Sequence, residues 1–551
     1  MSEPLRLDAL ARGWRGRLFA ALIALIAGLP GLIALPATDR DEARYAQAAS
    51  QMLESGDFIG IDFQDAALTQ APVLVHWLEA ASVTLVSGTE ARAIWAYRLP
   101  ALLGAMLAAA ACAWGAEALF GAAPALIAGG LMGAGMALST VAAQATTDAL
   151  LCGLATLSLA ALARVYAASR GLELAIGWRT KLLFWLGLAL AILDAGVIAP
   201  AIALSTGIAL ALWDRKAPWA RSLGWTWGIL LIGAVVGPWA VAITVRTDGA
   251  FWTDAVGARA GHWLPPGAHL LLAPVLLFPA TALLPAAASE AWRGRAETGV
   301  RFAIAWLVPA WIAFELWPAK TPGATLPLCA AAAWLAAYAL TKPLPAWSRW
   351  SGAGLSLLAG AALAMATVVL AAHFNGAGAL GFALFAGAVA VAAGFAGAGV
   401  LLSPRGLASL GAAGVLAVTA HAVAMAGVAP RLSPFWTSAT IKAALDRAGL
   451  DPRNGLTPGP VTVVGYAEPS LVFQLGTETE ISDDVDDALD AIGDARPAVL
   501  EQSRIAAFAA GLAAQKLKAQ PVASVDGYDY VRGQPIRLIV YRSEMPPPSN
   551  P

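Results

Sequence analysis

The chain has 551 residues, 59% of them hydrophobic and only 13% charged, with a mean hydropathy of +0.67. An ordinary soluble domain carries about 25% charged residues, so the composition points to an integral membrane protein and against a water-soluble one. A formal net charge of −1 argues against nucleic acid as a partner.

Residues 1–17, "MSEPLRLDALARGWRGR", are a basic segment. The apolar run that follows is longer than a signal-peptide core and ends in proline rather than at a small-residue cleavage site, so it is expected to remain as the first transmembrane helix. At about 20 apolar residues per crossing, roughly thirteen spans follow up to residue 429, centred near about 26, 103, 130, 157, 188, 204, 235, 276, 308, 331, 362, 391 and 418. The three cysteines, Cys112, Cys152 and Cys329, lie inside these apolar runs without CxxC or Cys/His spacing and read as small core residues.

With a cytoplasmic N-terminus, nearly every basic cluster falls on one side: Arg164, Arg170, Arg179 and Lys181; Arg215, Lys216 and Arg221; Arg293, Arg295 and Arg301; Lys342 and Arg349; and Arg405. The positive-inside rule then puts the C-terminal segment outside, which in a bacterial inner membrane is the periplasm. The spans form a transmembrane domain over residues 18–429 with a long outer loop at 37–91. From residue 430 to 543 the sequence turns polar and alternates short β runs with helix-period stretches, as expected of a small periplasmic α/β domain. The tail 544–551, "EMPPPSNP", is disordered by composition. The predicted fold class is thus mainly α, a polytopic helix bundle with a small C-terminal α/β domain.

Polar groups near membrane depth are costly and mark function, and in this orientation they gather at the outer helix ends. Asp39, Asp41 and Glu42 follow the first span, Gln70, His76 and Trp77 lie in the outer loop, and Asp148 opens the fourth span. Asp194 ends the fifth, Arg246, Arg259 and His262 follow the seventh, and Lys320 follows the ninth. Thr38 with Asp41 three residues on fits a capping box, predicting a short helix with Ala43, Ala46, Ala49, Met52 and Leu53 on its buried stripe. Asp41 and Tyr45, four apart, then share a face. A carboxylate at such a mouth can take a proton from a hydroxyl or stabilise positive charge on a sugar ring; the same charges also suit a solvated, self-paired interfacial helix. The five histidines show no HxxxH pattern, and neither a metal nor another cofactor is predicted.

"DRDEARYAQAASQMLESGDFIGIDF" resembles the first outer loop of polyprenyl-phosphate-sugar-dependent membrane glycosyltransferases, the GT-C group that includes protein O-mannosyltransferases and the lipid A aminoarabinose transferase. "TDALL", "LVPAWIAFELWPAKTPGATLPL" and "VAPRLSPF" are similar to further family segments in the same order. The resemblance implies transfer of a sugar from a polyprenyl-phosphate donor to a lipid A or other envelope glycolipid on the periplasmic face. It further implies Asp41, Glu42 and Asp148 as catalytic acids and Lys320 as a donor-phosphate contact. Where the family has "EKPPLFYW" this chain has "TQAPVLVHW", and where it has "LTKGP" this chain has "LDAGV", so two lysines are gone. Arg40, Arg246 and Arg259 are candidate replacements, since a guanidinium grips phosphate in a bidentate fork. Tyr45, Gln70, His76, Trp77, Asp194 and His262 complete the expected substrate pocket. Transfer to protein, or retention of the fold as a lipid-linked-sugar binder or transporter, are the alternative readings; the inverted repeats and midplane charge pairs of a transporter are not visible.

Overall fold

A computed structural model describes residue 11 and residues 13–89, 91–173, 176–257, 265–317, 322–454, 459–529 and 532–545. The membrane part begins with α1 (Trp14–Ala34), then the outer helices α2 (Asp41–Ser55) and α3 (Leu74–Val86), joined by a two-strand hairpin, β1 (Asp62–Phe63) and β2 (Ala66–Ala67). The chain returns through α4 (Leu99–Phe120), α5 (Ala122–Gly133), α6 (Thr147–Ser169), α7 (Trp178–Ala195), α8 (Ile198–Asp214) and α9 (Trp225–Arg246). Then come α10 (Ala268–Leu276), α11 (Leu284–Arg293), α12 (Thr298–Leu316) and α13 (Leu326–Ala339), followed by α14 (Ala346–Phe374), α15 (Gly378–Leu402) and α16 (Gly406–Val423). Ser356 Oγ donates to the Gly394 carbonyl at 3.1 Å, which is possible only because α14 and α15 fold back on each other as a hairpin.

Every one of the predicted centres falls within one of these helices. Length divides them differently: among the described residues eight helices are long and apolar enough to cross a membrane, or nine with the pair around α10 and α11, which bends by 119°. α5, α8 and α13 are shorter, and α7 carries Arg179, Lys181 and Asp194. Hydropathy along a sequence counts apolar residues and does not register a bend such as the one between α10 and α11. The break at "LDAGVIAP", with Gly196 at φ 68, falls between the fifth and sixth expected spans and separates α7 from α8.

Alanine and glycine let these helices pack backbone to backbone, the lipid-phase substitute for a hydrophobic core. A Cβ on Gly153 of α6 would stand 2.4 Å from the Gly104 carbonyl oxygen of α4. Deeper in, Trp306 and Trp334 meet edge to face at 5.2 Å, and Trp334 Nε1 donates to the Cys112 carbonyl at 2.9 Å.

The C-terminal part comprises α17 (Thr437–Ala448), β3 (Thr462–Val464), α18 (Pro469–Leu475), β4 (Glu480–Ser482), α19 (Val485–Gly493), β5 (Ala498–Glu501), α20 (Ile505–Gln515), β6 (Ala519–Asp529) and β7 (Gln534–Ser543). The strands form one sheet in the order β4-β3-β5-β7-β6, in which β3 runs parallel to both neighbours and β7 antiparallel to both of its own. Val463, Val499 and Val540 line its core with Ile441 and Leu471 of the covering helices.

Candidate active site

The site begins where α1 leaves the apolar layer. Arg40, at φ 67, turns the chain so that α2 starts at Asp41, with Asp41 and Glu42 at the positive end of the helix dipole. Ala43, Ala46, Ala49 and Met52 are buried, as the stripe predicts, and Leu53 is half-buried. The capping box takes a different form from the expected one. Thr38 donates through its N–H (2.7 Å) and its hydroxyl (2.6 Å) to Glu42, not Asp41, because the turn at Arg40 brings the second acid of the pair back over the loop.

Glu42 is saturated. It accepts Arg98 Nε at 2.7 Å and Nη2 at 2.9 Å, and the Ala145 N–H at 2.9 Å, besides Thr38. Arg98 spends its remaining donors on the carbonyls of Leu32 (3.1 Å), Leu35 (2.7 Å) and Pro36 (2.8 Å), the orphan acceptors at the end of α1. Burial alone would raise the Glu42 pKa, but Arg98 and these hydrogen bonds hold it below the usual carboxylate range. Glu42, expected among the catalytic acids, is therefore taken up in joining α1, α2, α4 and the turn before α6.

Asp41 is exposed at the start of the same helix and belongs to a second group of acids. Tyr45, one turn on, is buried, and its phenol is pushed above its ordinary range by burial and then by Asp41, Asp148, Asp194 and Glu79. Four carboxyl groups from α2, α3, α6 and α7 thus lie near enough to one ring to act on its charge. Asp148 opens α6 and lies against the backbone of Gly323, where a Cβ would stand 2.1 Å from its carboxyl group. Asp194 is wholly buried in the last turn of α7. His76 meets the Tyr45 ring edge-on at 5.2 Å, and burial lowers its pKa to about 4.

Glu79 is the member the sequence reading missed. It is fully buried one turn after His76, and neither its oxygens nor those of Asp194 have a hydrogen-bond partner among the described residues. Burial first, then Glu42 and Asp194, raise its pKa well above the usual carboxylate range. The available signal was a lone acid in the apolar run "PVLVHWLEAASV", three residues from His76 on the same helix face.

The other expected residues divide. Arg246 is paired with Asp57 and lies 3.5 Å from Asp62, with Gly60 packed beneath its guanidinium. Its guanidinium is thereby engaged by the outer loop. Trp77 Nε1 donates to the Phe58 carbonyl at 2.8 Å, an interfacial anchor, and Gln70 is exposed. Arg40 is exposed beside Asp41. Arg259, His262 and Lys320 lie outside the described residues. No three His, Cys, Asp or Glu side chains among the described residues are placed to hold a metal ion.

The C-terminal domain completes the mouth. Asp39 accepts the Ser470 N–H at 3.1 Å, Gln64 Nε2 donates to the Thr477 and Thr479 carbonyls at 2.9 and 2.7 Å, and Tyr97 meets Phe473 edge to face at 5.2 Å. Arg92 donates to Gln47 Oε1 at 2.6 Å and to the Val472 and Phe473 carbonyls at 3.2 and 2.9 Å, and also pairs with Glu54.

No protein-family model matches the chain. Over 357 residues it is 30% identical to the undecaprenyl phosphate-alpha-4-amino-4-deoxy-L-arabinose arabinosyl transferase of Pseudomonas paraeruginosa, a stretch that is 59% of this chain and 60% of that protein. It is 26% identical over 319 residues to the second such transferase of Pseudomonas fluorescens, 55% and 56% of the two chains. The match thus spans less than two thirds of the length of these curated relatives. The crystal structure of ArnT from Cupriavidus metallidurans bound to undecaprenyl phosphate has a TM-score of 0.75 at 20% identity, covering 95% of this chain and 97% of that one. The chain is a multi-pass membrane protein that shares the fold of that ArnT structure.

Proposed function

We propose that this protein transfers a sugar from a polyprenyl-phosphate donor to a lipid A or related envelope glycolipid at the outer face of a bacterial inner membrane. The observation that carries the reading is the convergence of Asp41, Asp148, Asp194 and Glu79 on Tyr45 at the mouth beneath the C-terminal domain. The relatives are named for transfer of an aminoarabinose from undecaprenyl phosphate, and the Cupriavidus structure holds that carrier. The orientation is supported by Arg164, Arg170 and Arg301, which lie at the end of the bundle away from Asp41, the last two paired with Asp214.

In this reading Asp41 is the exposed carboxylate that faces the reacting sugar or orients the acceptor, and Asp148 is its neighbour across the mouth. Tyr45 and Asp194 line the pocket behind them. Lys320 and Arg259 are assigned to the donor phosphate by their place in the sequence. The test is purified protein in nanodiscs supplied with undecaprenyl phosphate-linked 4-amino-4-deoxy-L-arabinose and lipid A, together with mass spectrometry of envelope glycolipids from a deletion strain. A single-sugar mass lost on deletion and regained with the wild-type gene supports the reading. Unchanged glycolipids with a sugar lost from envelope protein would move the acceptor to protein.

A further inference from the structure

Polar contacts fasten α2 to the C-terminal domain on both sides of Asp41 in the chain. Before it, Asp39 accepts the Ser470 N–H at 3.1 Å, the Ser470 hydroxyl donates to Ser438 Oγ at 2.6 Å, and Ser438 Oγ stands 3.2 Å from the Tyr466 hydroxyl. After it, Arg92 joins Gln47 of α2 to the carbonyls at the end of α18, and Thr477 binds α2 directly, accepting from Gln47 Nε2 at 2.8 Å and donating to Glu54 at 2.6 Å. The second set centres on the Arg92 guanidinium, whose charge does not change with pH and which pairs with Glu54. The first is made by a carboxyl group among other acids.

We propose that the C-terminal domain sets the position of Asp41 through the Asp39–Ser470 contact, and that docking of the domain at this contact weakens as the pH rises. Asp39 and Ser470 are then positioning residues for the transfer proposed above, on which the inference rests. Asp39 faces Glu468, which is buried, and Tyr466 from the C-terminal domain, and Glu42 from its own loop; the Glu42 charge is taken up by Arg98. Arg40 is its neighbour in sequence. Burial, opposed by the Ser470 hydrogen bonds and reinforced by Glu468 and Glu42, raises the Asp39 pKa to about 7. Docking therefore favours the protonated acid. It is strongest at acidic pH, weakens as the pH rises from the ordinary carboxylate range to about 7, and changes no further above that.

The experiment is hydrogen–deuterium exchange of the full chain in nanodiscs at about pH 5.5 and about pH 8.5, corrected for intrinsic exchange, following α2 and α18. In the wild type, protection of both helices falls by up to about thirtyfold between the two pH values. Asp39→Asn keeps the acceptor oxygen and removes the proton, and holds its protection at both. Arg92→Ala lowers protection equally at both. A pH response shared by the wild type and Asp39→Asn, or absent from the wild type, overturns the proposal. In the transfer assay Asp39→Ala lowers kcat and leaves the donor KM unchanged. If exchange follows the expected pattern and no sugar is transferred at either pH, the contact stands and the glycosyl-transfer reading falls.

Discussion

Arg98 and Glu42 form a two-pronged ion pair, 2.7 and 2.9 Å, with no exposed surface on the guanidinium side chain and almost none on the carboxylate. Removing one partner leaves the other charged and buried, which costs about 3–5 kcal/mol. Glu42→Gln and Arg98→Met should therefore each lower thermal stability sharply in detergent, and transfer should fall with the amount of folded protein. Since the Glu42 pKa is lowered by folding, its contribution is present above the ordinary carboxylate range and is lost as acid protonates it. A Glu42→Gln protein as stable as the wild type at neutral pH would remove this pair from its anchoring role.

Asp41 is exposed and makes no comparable network among the described residues, so its loss should leave the fold alone. Asp41→Asn is expected to reduce transfer by about 10²–10⁴-fold at an unchanged melting temperature. Residual activity within about threefold of wild type would place the chemistry elsewhere.

Glu79 should behave in the opposite way to Glu42. Its pKa is raised by burial, so the stability it allows is present below the ordinary carboxylate range and lost as the pH rises through the raised value. Glu79→Gln should match the wild type near about pH 4.5 and be the more stable of the two near about pH 8.5. Thermal melts at the two values decide it, and a variant that is less stable at the higher pH argues that Glu79 is held ionised by a partner.

Arg246 is 45% exposed and engaged by the loop that carries Asp57 and Asp62. Its removal should cost no more than about 1 kcal/mol and leave the donor KM within about twofold, whereas Lys320→Ala and Arg259→Ala should raise it tenfold or more, about 1.4 kcal/mol. A donor KM that rises as much for Arg246→Ala as for Lys320→Ala would return Arg246 to the phosphate.

What the sequence made legible follows from the range of each signal. Runs of apolar residues place helices because the bilayer imposes a length, and so each predicted centre lies on a helix. Asp41, Tyr45, Asp148 and Asp194 were readable because helix ends on one side of a membrane must share a surface. Glu42 and Arg98 are 56 residues apart, and nothing local distinguishes a carboxylate that will be saturated from one left facing water. The same holds for Arg246, whose partners Asp57 and Asp62 belong to another loop, and for Glu79, which a helical count places on a face without saying what that face meets.

The seam between α4 and α6 carries a last consequence. With a Gly104 oxygen where a Gly153 methyl group would need to be, the two helices are in backbone contact. A methyl group added at Gly153 would therefore have to push α4 and α6 apart, so hydrogen is the one side chain this seam accepts without moving the two helices that carry Arg98 and Asp148.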